Sequence, residues 1–120
     1  MNANQFGCYA EYLFAVEAMK NNLYVSFPLL HTSPYDCIVD SPKGLSKIQI
    51  KAINESNRKR KRIQLLDRNK SAYSKIDVDF FAIYSKQRDG FFIIKNEGTI
   101  KSFSVGLDKY SNYFNNFALL

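Results

Sequence analysis

The chain has 120 residues, is 46% hydrophobic and carries a net charge of +6. That is one domain's length with apolar content for one core, which excludes a disordered chain, and no apolar run approaches the roughly 20 residues of a membrane span. Two cysteines and one histidine are too few for a disulfide framework, a four-ligand zinc site or a His-based metal site.

The elements follow in chain order. Apolar residues at Phe6, Tyr9, Ala10, Leu13 and Val16 recur at helical spacing and predict a helix from about Asn4 to Asn21, ended by the Asn21-Asn22 pair. A short strand over Leu23–Phe27 stops at Pro28, and His31–Pro34 is a loop. Tyr35–Val39 and Leu45–Ile53 read as strands joined by a hairpin turn over Asp40–Gly44. A further strand is expected near Lys61–Leu66, followed by polar connection. Val78–Tyr84 and Phe91–Lys95 form a second hairpin around Gln87–Gly90, and Leu107–Phe117 reads as a short helix. The order predicts a single α+β domain over 1–120, with a sheet and flanking helices. The opening residues show no basic n-region or apolar h-region, so no signal peptide is expected. A cytoplasmic protein with Cys8 and Cys37 as buried thiols is the matching expectation.

The charge is local. Residues 1–57 carry net −1, residues 58–75 net +7, and residues 76–120 net 0. The centre of the basic segment is Arg58-Lys59-Arg60-Lys61-Arg62, with Lys70 and Lys75 beyond it. Such concentration on a compact domain is an electrostatic footprint for a polyanion. The plain alternative is a solvated loop. The run lacks the apolar face a membrane-surface helix needs, so no membrane partner is expected.

Three segments could carry chemistry. Strand alternation sets Ile48, Ile50 and Ala52 on one face of 45–53, and Gln49 and Lys51 on the other. In the preceding strand, alternation groups Tyr35, Cys37 and Val39 against Asp36, Ile38 and Asp40, so the hairpin can bring Asp36 near Gln49 and Lys51. On the helix, Glu11 falls at the edge of the apolar stripe, with Gly7 one turn earlier leaving room for a ligand or a backbone. Taken singly, each acid reads equally well as an ordinary surface carboxylate.

Together, Gly7 to Glu11, Pro34-Tyr35-Asp36 and Gln49-Ile50-Lys51 resemble the PD-(D/E)XK nuclease superfamily, and most of all the homing endonucleases encoded in cyanobacterial group I introns. The likeness is close over about residues 4–53 and looser through Asp77–Tyr84. It implies a restriction-endonuclease-like α+β core with a mixed central sheet. It further implies a sequence-specific, Mg²⁺-dependent endonuclease acting on double-stranded DNA, and a homo-oligomer, dimer or tetramer. Asp36 would be the main metal ligand, with Gln49 Oε1, the Ile50 carbonyl and Glu11 completing the set. Lys51 would orient the attacking water. Arg58, Lys59, Arg60, Lys61, Arg62, Lys70 and Lys75 would contact DNA, with His31 and Ser33 at the phosphate backbone. Gln49 departs from the usual acid and brings no charge. It leaves open an inactive nucleic-acid-binding module derived from such a nuclease. A restriction or junction-resolving nuclease of the same fold is the other alternative. Asp77 and Asp79 are not expected to bind metal. The C-terminal aromatics Tyr110, Tyr113, Phe114 and Phe117 read equally as DNA contacts or as an internal face.

Overall fold

The structure, a computed structural model, describes residues 1–55 and 62–120. The expected DNA contacts Arg58, Lys59, Arg60 and Lys61 lie outside the described residues. Helix α1 spans Ala3–Lys20. Asn2 caps it reciprocally with Gln5: each backbone N–H donates to the other's side-chain oxygen, at 2.9 and 3.0 Å. At the far end Asn21 Nδ2 donates to Glu17 O at 2.9 Å, and Asn22 takes a left-handed φ of 62°. The expected boundaries hold to within a residue. The buried stripe is Ala10, Phe14, Ala15 and Ala18, whereas Val16, expected inside, is exposed.

The strands are β1 (Tyr24–Ser26), β2 (Cys37–Ser41), β3 (Gly44–Ile53), β4 (Arg62–Gln64), β5 (Phe80–Ser85), β6 (Gly90–Lys95) and β7 (Ser102–Ser104). Five form one mixed sheet in the order β1-β2-β3-β5-β6, with β3 and β5 parallel and the other neighbours antiparallel. The remaining two form a ribbon, β4-β7. The weakly apolar β7 had no sequence signal. The C-terminal segment folds as 3-10 turns over Asp108–Tyr113 and Phe117–Leu119 rather than as the expected α-helix.

Each sheet face buries its own core. α1 covers Cys37, Val39, Ile48, Ile50, Ala82, Tyr84, Phe91 and Ile93. The opposite face packs Phe81, Ile83, Phe92 and Ile94 under Leu65, Tyr73, Val78 and Phe103. That second layer is ribbon and loop where a flanking helix was expected. The C-terminal aromatics are mostly internal: Phe117 is buried in the α1-side core and Phe114 packs against the second core, while Tyr113 is exposed. Cys37 is buried as expected, and burial beside Asp36 pushes its thiol up to about 12. Cys8 is exposed, because it lies off the α1 stripe.

One departure from strand alternation positions the site. Cys37 packs toward α1, but Tyr35, two residues earlier, packs on the opposite core. Regular alternation would place both on one face. Asp36 N–H donates to Ile48 O at 2.8 Å, and Cys37 is the register partner of that same Ile48. Two residues against one is the arrangement of a β-bulge, which re-aims a side chain. The expected grouping of Asp36 with Ile38 and Asp40 therefore fails at the bulge.

Asn96 is buried and anchors the loop that closes the second core. Its Nδ2 donates to Val78 O at 2.9 Å and Tyr73 O at 3.0 Å, and its Oδ1 accepts from Gly98 N–H at 2.9 Å. Asn96→Ala strands these groups without partners, so urea unfolding should show a loss of about 2–4 kcal/mol. A change under about 0.5 kcal/mol would mean that other contacts hold the loop.

Candidate active site

β2 pairs with β3 only as far as Ile48, and the two strands part at Asp36. The next N–H on that edge of β3, from Ile50, donates to Asp36 Oδ2 at 2.7 Å. A side chain thus replaces the strand that has left. Successive residues of a strand turn their peptide groups to alternate edges, so the Ile50 carbonyl faces the same gap.

The gap is reached from both sheet faces. From the α1 side comes Glu11, half-buried, whose carboxyl shares a hydrogen bond with Asp36. Burial first, then the Asp36 charge and that hydrogen bond, push Glu11 up to about 7. From the other side come Gln49 and Lys51. Gln49 lines a cavity of about 370 Å³ together with Asp36, Asp67, Arg68 and Tyr73. The Lys51 ammonium lies 6.0 Å from the centre of the Tyr73 ring. Burial, Asp36 and Asp67, in that order, raise the Tyr73 phenol. The sequence offered no reason to single out Tyr73, because β3 and the 67–77 loop meet only in three dimensions.

The other expected residues scatter. His31 and Ser33 line the same cavity, His31 exposed and Ser33 half-buried. Arg62 is exposed at the start of β4, and Lys70 is exposed in a turn at φ 61°. Lys75 forms a surface ion pair with Glu97 at 3.7 Å, whereas Asp77 lines the cavity. Asp79 is structural: its carboxylate accepts the Lys47 N–H at 2.8 Å and its own N–H donates to Lys47 O at 2.9 Å.

The donor set suits a hard divalent cation in part. Two touching carboxylates, a neutral amide oxygen and a strand carbonyl are all oxygen donors. Burial raises Glu11 most, and a cation would relieve the repulsion from Asp36 that adds to it. Among the described residues no group of three or more His, Cys, Asp or Glu could hold a metal. The set therefore depends on the neutral Gln49 and Ile50 oxygens.

Glu11 also makes stability depend on pH. Its folded value near 7 exceeds the unfolded 4.5, so the folded state holds the proton more tightly and loses relative stability as pH rises through this window. In EDTA, Glu11→Gln should match wild type near pH 4 and exceed it at pH 8, by roughly 1–3 kcal/mol after solvent screening. Parallel stability curves for the two proteins across pH 4–8 would remove the carboxylate contact.

The model of the family described as PD-(D/E)XK endonuclease matches residues 1–108. Among solved structures the chain is similar to a bacterial homing endonuclease, I-Ssp6803I, with a TM-score of 0.74 and 22% sequence identity, over 99% of this chain and 93% of that one. At that identity the likeness speaks for the fold. No curated protein sequence matches the chain. A mixed sheet forked at an acid, a helix carboxylate at the fork, a lysine two residues past Gln49 and a family model spanning nine-tenths of the chain lead to one assignment: the chain belongs to the PD-(D/E)XK endonuclease family.

Proposed function

We propose that the protein is a sequence-specific endonuclease of the homing type that hydrolyses double-stranded DNA with Mg²⁺. The observation that carries this reading is the convergence of Glu11, Asp36, Gln49 and Lys51 on the β2–β3 fork. Family membership supports the nuclease class, and PD-(D/E)XK nucleases generally use divalent metals. The fold of the I-Ssp6803I structure supports the homing type.

Asp36, with Glu11, Gln49 Oε1 and the Ile50 carbonyl, would hold the cation, which supplies Lewis acidity at the scissile phosphate when bound. Asp36 is held rigidly for that task by the Ile50 N–H. Lys51 brings positive charge to the phosphate and orients the attacking water, with its ammonium over the Tyr73 ring. Phosphate contacts come from the basic segment 58–75, whose charge the sequence concentrates there. A homo-oligomer would extend the readable site. Exposed Tyr12, Val16 and Met19 along α1, with Phe27 and Leu29 nearby in sequence to β1, support an association surface. Among the described residues no helix is long and apolar enough to cross a membrane.

A second reading, a nucleic-acid-binding relic, is favoured by the neutral Gln49, which stands where the family usually has an acid. Plasmid DNA incubated with Mg²⁺ or with EDTA separates the two, since only the nuclease cuts, and only with the cation. Lys51→Ala should lower single-turnover cleavage by about 100-fold or more while DNA affinity stays within about threefold, because Lys51 serves the transition state. Gln49→Leu should raise the Mg²⁺ concentration needed for cleavage and Gln49→Glu should lower it, by charge. Three superimposable Mg²⁺ titrations would take Gln49 off the cation.

The basic run has its own test. Replacing Arg58, Arg60 and Arg62 with Ala should reduce the slope of log affinity against log salt by about 0.9 per lost phosphate contact. An unchanged slope would make the run a solvated loop.

A further inference from the structure

Glycine weakens a helix interior more than any residue except proline. Gly7 nevertheless sits inside α1, exposed, where an added Cβ would meet nothing within 4 Å. Its φ is not in the left-handed range, so the backbone does not require glycine either. Among the described residues neither packing nor backbone conformation accounts for it.

Beside Gly7 runs a groove of about 760 Å³. One wall is the start of α1, with Phe6 and Gly7; the floor is β3 past the fork, with Lys51 and Ala52; the far wall is β4, with Arg62 and Gln64. Lys51 and Arg62 are its charged lining, and no carboxylate lines it among the described residues. The cavity on the other side of the fork, by contrast, holds three carboxylates, Asp36, Asp67 and Asp77, with Arg68. Since β2 pairs with β3 only as far as Ile48, the β3 edge that runs along the groove has no strand partner among the described residues. Ala52 turns its N–H and C=O to that open edge.

Cations on two sides, a free peptide edge and an apolar wall suit a polyanionic strand with sugar faces. We infer that this groove carries the sugar–phosphate backbone of one DNA strand along Arg62 to the fork, where Lys51 meets the scissile phosphate, and that Gly7 is a clearance position where a side chain would obstruct the strand. The inference rests on the nuclease reading and adds to it the path of the strand. Gly7 is a positioning residue in this scheme, acting by the space it leaves.

The test uses the whole chain with Gly7→Ala and Gly7→Gln. Thermal unfolding is followed beside binding of a fluorescent duplex of arbitrary sequence in EDTA at low salt, and beside plasmid cleavage in Mg²⁺. Gly7→Ala should raise Tm by about 3–6 °C through helix propensity, and Gly7→Gln should raise it as well. Gly7→Gln should weaken duplex binding about tenfold and slow cleavage, with a smaller loss for Gly7→Ala. Stability and binding moving in opposite directions is the signature, which a merely structural glycine would not produce. A wild type that binds and cuts DNA while Gly7→Gln binds and cuts equally well overturns the groove assignment alone. A Tm lowered in both variants overturns it too, by making Gly7 structural. A wild type that neither binds nor cuts DNA overturns the nuclease reading and this inference with it.

Discussion

The hydrogen bond from the Ile50 N–H to the Asp36 carboxylate is the constraint around which the rest of the molecule is arranged. A sheet can open a site between two of its strands only if the peptide groups at the opening find partners. Here the bulge at Asp36 lets β2 leave, and the Asp36 side chain takes over the hydrogen bond that β2 no longer accepts. The same bond holds the acid rigid and turns it into the plane of the sheet. From that plane it can be reached by α1 on one face and by the 67–77 loop on the other.

Two supports keep this fork in place. β3 is clamped on its other edge by parallel pairing with β5 from Ile48 to Ile53, so the strand that bears Gln49 and Lys51 stays straight where β2 departs. The loop carrying Tyr73 is tied to the end of β6 by buried Asn96, which fixes the ring beside Lys51. A further clamp closes the chain's end: Asn115 exchanges hydrogen bonds with Phe91 at 2.6 and 2.8 Å, and Gly90 has no side chain because a Cβ would collide with Phe114. The site is therefore built on strands and tied loops, which suits chemistry that depends on small displacements.

The functional region also gathers the features that cost stability. Glu11 is half-buried against another carboxylate, Gly7 interrupts a helix, and one edge of β3 past Ile48 has no strand partner among the described residues. In the proposed reading, a cation between the acids would offset the first and a phosphate backbone along the open edge the last. Charge differs between the two sides of the fork: Asp36, Asp67 and Asp77 line the cavity with Arg68, while Lys51 and Arg62 are the charged lining of the groove among the described residues.

By itself the sequence determined the elements with strong local signals. Helical spacing closed by the Asn21-Asn22 pair marked α1, alternation marked β3, and the Gln87–Gly90 turn residues marked the second hairpin, because these depend on neighbours within a few residues. It also determined the candidate residues Glu11, Asp36, Gln49 and Lys51 and the place of the positive charge, since these are matters of identity and spacing. Tertiary structure alone decided the bulge that turns Asp36 off its alternating face, because a bulge follows from how two strands part. It alone decided the short β7, which exists only as the partner of β4, and the 3-10 form of the C-terminal segment, which lies against β6. Tyr73 beside Lys51 and the groove at Gly7 belong to the same class: residues far apart in the chain meet there only once the sheet has closed on both faces.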